Sequence, residues 1–156
     1  MKSLYDRLCP LGLVIVVWGL APFATVSAQD TRPSPEKMAR ADEEVCVSNL
    51  RAITGAQNDY WGGDRNRGYA RTLKELGPTG VGFLEPVIAS GKKDDYRYKL
   101  KPQKTAPNQP VRHYTLTARP TKRWVRDQKS YFTDETGVIR FTTENRPARA
   151  TDQPIE

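Results

Sequence analysis

Histidine and cysteine are nearly missing from this chain, which holds one His and two Cys, Cys9 and Cys46, in 156 residues. A metal centre of nitrogen or sulfur donors needs several ligands at short spacing, so none is expected. No Gly-x-Ser-x-Gly turn, phosphate loop or dinucleotide fingerprint supplies another chemistry. Neither enzymatic activity nor a bound cofactor is expected. Long apolar runs are also scarce: Leu11 to Val26 falls short of the ~20 residues that a spanning helix needs, and Pro22 interrupts it. No internal repeat is seen.

The N-terminal segment has the three parts of a secretory signal: a positive start at Lys2 and Arg7, the apolar run Leu11 to Leu20, and the small-residue exit Val26-Ser27-Ala28 before Gln29. Cleavage near Ala28-Gln29 is expected, giving a periplasmic or extracellular chain; retention of residues 1–28 would instead leave it anchored in the inner membrane. Cys9 precedes the apolar run, so it is not placed for lipid attachment. Its loss leaves Cys46 alone, without an internal disulfide and expected to be buried on a helix face or open to an intermolecular bridge. Removing Lys2, Arg7 and Asp6 from the 25 basic and 18 acidic residues leaves a mature charge of about +6. Such a balance suits either a soluble surface or anionic surroundings.

Residues 29–35 form a proline-bearing linker, followed by one globular domain over 36–143. Ser34 is a good N-cap, Pro35 suits the first helical position and Glu36 complements the helix dipole. The helix is expected to run to about Tyr60 and end at Gly62-Gly63. Val47, Leu50, Ile53 and Gln57 form its buried stripe with Cys46, Ala56 and Tyr60 beside it; Glu43, Glu44, Asn49, Arg51 and Asn58 are placed towards water. Gly55 weakens the helix unless a neighbour approaches there.

Thr72 and Glu75 form a capping box before a short turn, and a second short helix covers Phe83 to Ala89. The period then changes. Tyr96 to Leu100 and His113 to Thr117 alternate as half-buried strands, and Ser130 to Thr133 and Val138 to Phe141 flank a hairpin turn at Asp134-Glu135-Thr136-Gly137. Residues 144–156 carry no apolar pattern and are expected to be a disordered tail. The expected fold class is α+β, a long N-terminal helix packed on an antiparallel meander of about four strands.

The stretches Ala39 to Glu44, Ser48 to Tyr60, Gly68-Tyr69-Ala70 with Leu73 to Leu76, Phe83-Leu84 with Ala89-Ser90-Gly91, and Tyr131 to Arg140 together resemble the globular half of type IV pilin-like proteins, including the pseudopilins of type II secretion. The resemblance covers about Ala39 to Phe141. It implies a pilin-like domain that acts without catalysis, with envelope, secretion or pilus proteins as partners. The family's processing site is not matched: Gly12 and Gly19 are not followed by phenylalanine, the apolar run holds no acid, and Pro33 and Pro35 separate it from the domain helix.

His113 opens an aromatic strand with no partner visible by spacing, Asp94-Asp95 reads as a turn before a strand, and Asp134 and Glu135 belong to the hairpin. Two basic-aromatic clusters are candidates for binding a polyanion such as DNA or an envelope polymer: Arg65, Arg67 and Arg71 around Tyr69, and Lys122, Arg123 and Arg126 around Trp124. Both also fit loop charges surrounding a core aromatic.

Overall fold

Ser34 caps α1 (Pro35–Gly63) as expected, its hydroxyl accepting from Lys37 N. The computed structural model describes residues 32–64, 67–103, 106, 109–123 and 125–156; the segment expected to be a signal, residues 1–28, lies outside them, as do Arg65 and Trp124. No helix among the described residues is long and apolar enough to cross a membrane.

Two four-residue helices follow, α2 (Leu73–Leu76) and α3 (Pro86–Ala89). The Thr72 hydroxyl caps Glu75 N, while the Glu75 carboxylate accepts from Arg71 N and from the Thr72 hydroxyl. The second short helix is briefer than Phe83 to Ala89, since Pro86 opens it at its first position.

The sheet has six antiparallel strands in chain order: β1 (Lys92–Lys93), β2 (Tyr96–Pro102), β3 (Tyr114–Pro120), β4 (Ser130–Asp134), β5 (Arg140–Thr142) and β6 (Gln153–Pro154). The meander is as expected, but two strands are added to its ends. Both are two residues long, too short to show a period, and each exists through its neighbour. Asp94 and Asp95 form the β1–β2 turn, both with positive φ, a two-residue hairpin conformation that Asp tolerates.

Residues 144–156, expected to be disordered, are ordered instead. Gln153 and Pro154 pair with β5, Ile155 packs against the core, and Ala148 is buried. Arg146 and Asp152 supply what hydrophobic pattern does not: a bidentate pair, with Nη1 donating to Oδ2 at 2.8 Å and Nη2 to Oδ1 at 2.7 Å.

Tyr96, Tyr98, Tyr114, Leu116, Ala118 and Tyr131 fill the inward side of the sheet against Cys46, Leu50, Ile53 and Ala56 of α1. Two polar residues placed towards water turn inward. Asn49 is buried, donating to the Tyr98 hydroxyl at 2.9 Å, and the half-buried Glu43 carboxylate accepts from Lys129 N at 2.8 Å and pairs with Lys129 Nζ at 3.2 Å. Their sequence partners lie far downstream, so helical spacing alone did not reveal the contacts.

Gln57, fully buried, reads both backbone atoms of Ala70: its Oε1 accepts from Ala70 N at 2.8 Å and its Nε2 donates to Ala70 O at 3.2 Å. The adjoining Gly68, with φ +77°, lies so close to Val111 that a Cβ would stand 2.4 Å from the Val111 carbonyl oxygen. Tyr69 N then donates to that same oxygen at 2.9 Å.

Gln57→Ala strands a buried backbone donor and acceptor, so chemical denaturation should show a loss of about 2–4 kcal/mol. The hydrogen bonds from Arg146 lower the Asp152 pKa from 3.8 to about 2. That contribution is complete above the unfolded value and is lost as pH falls through the folded one. Acid melts between pH 4 and 2 should therefore detach the C-terminal segment, and Asp152→Asn should remove that pH dependence.

Candidate functional site

The first basic-aromatic cluster does not converge on an open ring. Tyr69 is buried between Trp61 and Tyr114, with ring centroids 4.6 and 4.9 Å away, and cannot receive a base. Arg67 lies over the Tyr60 ring at 4.9 Å, and Arg71 donates to the Gln109 carbonyl at 3.1 Å.

In the second cluster Arg123 is a bracket for the chain itself. Its Nη1 donates to Arg126 O at 2.7 Å and Thr143 O at 3.2 Å, and its Nη2 to Glu144 O at 2.9 Å. Lys122 and Arg126 are exposed on the same loop. The structure thus brings Arg123 and Arg126 together through backbone, while among the described residues the two border different concavities.

His113 has a partner that spacing did not reveal. Its Nδ1 lies 2.5 Å from Glu135 Oε1, and the other Glu135 oxygen accepts from Tyr114 N at 3.4 Å. This pair sits at the β4–β5 turn with much of the imidazole exposed. Cys46 is fully buried, and desolvation pushes its pKa well up, so it carries no thiolate at neutral pH. Among the described residues, no three His, Cys, Asp or Glu side chains are grouped to hold a metal.

A groove of about 1040 Å³ runs between the first half of α1 and the C-terminal side of the sheet. Its walls alternate in charge, Glu36, Arg40 and Glu44 facing Arg126, Asp127 and Lys129. Opposite signs spread along both walls give no focused field.

The outward side of the sheet is different. Strand register places Lys92, Arg97, Lys99, Lys101, Thr115, Thr117 and Arg119 on one face of β1–β3, five cations and no acid. Arg97 and Arg119 are direct cross-strand partners and, with Thr121, Arg123 and Asn145, border an open concavity of about 480 Å³. The alternation Tyr96-Arg97-Tyr98-Lys99-Leu100 had identified a half-buried strand; its polar half was the signal that also carried this face.

No family model, curated protein or solved structure matches the chain.

The brackets made by Arg123 set a test of its role. Arg123→Ala should cost roughly 1–3 kcal/mol and speed proteolysis within residues 143–152. Lys122→Ala, at an exposed residue that makes no such bond among the described residues, should leave both unchanged.

Proposed function

We propose that the chain is an exported, non-enzymatic, pilin-like domain, of the kind found in type IV pili and in type II secretion pseudopilins, that acts through protein contacts at the cell envelope. One exposed flank of α1 carries the reading. Met38, Ala41, Val45, Ser48, Ala52 and Gly55 recur at spacings of three and four residues, and all are exposed. Such spacing lines one side of a helix. Short side chains there let another backbone approach closely.

Gly55 fits this reading in a specific way. Among the described residues, no atom outside the helix's own backbone lies within 4 Å of where its Cβ would stand, so none of them explains a helix-weakening glycine. A partner approaching from outside does. The leading helix laid over strands that neighbour one another in chain order supports the same reading. Export rests on the basic start, apolar run and small-residue exit of residues 1–28, with Gln29 as the mature N-terminus.

Crosslinking in the envelope followed by recovery of the full chain tests the proposal. Wild type should bring down a secretion or pilus protein. Val45→Glu should lose that partner with stability within about 0.5 kcal/mol of wild type. Gly55→Ala should weaken recovery yet raise stability by up to ~1 kcal/mol. Recovery of the wild type only as a free monomer, or of both variants with the partner intact, sinks the reading.

A further inference from the structure

We propose that the outward face of β1–β3 is a docking strip for a linear polyanion bearing phosphate groups. Among the described residues, the side chains of Lys92, Arg97, Lys99 and Lys101 make no hydrogen bond or ion pair, and Arg119 donates only to Asn145 Oδ1, at 3.3 Å. Four cations are thus left fully available. Arg97, Lys99 and Lys101 stand at alternate positions of one strand, about 7 Å apart, and form a row that a flexible charged chain can follow.

Lysines on a strand near a sheet edge also discourage pairing with other chains, and β1 covers only the Tyr96-Arg97 end of β2. Edge protection accounts for Lys99 and Lys101. It does not account for Arg97 opposite Arg119, where like charges face each other across a ladder and destabilise the pair. An anion seated between the two guanidiniums reverses that repulsion and takes bidentate hydrogen bonds from either.

The shape and composition narrow the class of partner. Thr121 and Asn145 wall the Arg97–Arg119 end into a concavity, which admits a chain but keeps back a flat bilayer. Lys92, Arg97, Lys99, Lys101, Thr115, Thr117 and Arg119 include no aromatic on which a base could stack, so recognition is by backbone charge. On this face the nearest acid in the register, Asp134, lies two strands from Lys101, and its carboxylate accepts from Thr136 N and Oγ1. The strip lies on the side of the sheet away from α1, so it does not depend on the helix-flank contact.

Fluorescence anisotropy of the full chain with labelled inorganic polyphosphate, and separately with a thymidine oligonucleotide, tests the strip. Binding of both should fall roughly 100-fold between about 50 and 200 mM salt, as about four phosphate contacts require. Replacing Arg97, Lys99 and Lys101 by alanine should weaken binding at least ~10-fold at low salt and reduce the salt slope by about 2–3. K99E/K101E should do at least as much, with thermal melts verifying that both variants remain folded. Absence of binding at low salt, unchanged binding by folded variants, or binding to the oligonucleotide alone overturns the proposal. So does binding lost in these variants that is seen only with phosphatidylglycerol vesicles, since a surface would then be the ligand.

Discussion

One helix, about 10 Å across, has to cover a sheet whose six strands span roughly 25 Å. This mismatch governs the rest of the structure. α1 lies over the middle, against β3 and β4, while α2 and α3 pack together beside β1. The connection between these layers is fixed by the Gln57 amide, which meets Ala70 as a neighbouring strand would, with one donor and one acceptor. On the far side, burial of the outward-facing Phe132, Ser130 and Thr142 coincides with the return of residues 143–152, held by Arg119, Arg123 and Arg140. Among the described residues no such return crosses β2, and its cations stay exposed there.

Tyrosine suits the inward layer because a wide sheet under a single helix offers both depth and a polar rim. The Tyr96 hydroxyl donates to Lys129 O at 2.9 Å, and that of Tyr98 accepts from Asn49. Burial pushes the pKa of both phenols up, so they act as neutral partners throughout the physiological range. Glu43 and Lys129 join the same region from opposite ends of the domain. The core is therefore tied by polar contacts at its margins and by apolar contact at its centre.

Local signals were legible in proportion to how little they needed distant residues. Ser34-Pro35 starts α1 and Gly62-Gly63 ends it through backbone preferences alone, and β2 and β3 declare themselves by alternation. Asn49 and Glu43 were misplaced because their partners lie 49 and 86 residues away. Ordered structure after Thr143 was missed for a related reason: an Arg146–Asp152 fork and a two-residue strand leave no periodic trace. At the candidate sites, linear proximity of arginine to aromatics was visible, but the duties of those arginines were not. Arg123 is committed to carbonyls up to 21 residues later, whereas Arg97 and Arg119 meet only through strand register.

The tie between Glu43 and Lys129 also sets a timetable. During synthesis α1 emerges first, yet β3 and β4, on which it rests, begin only at Tyr114 and Ser130, and the strand that closes the far edge comes almost last. Until then the apolar stripe around Leu50 and Ile53 has no sheet to cover. Folding dominated by such distant contacts is slow compared with local helix formation. A nascent chain of this design carries an uncovered apolar stripe until its strands arrive, an interval in which Leu50 and Ile53 are open to other partners.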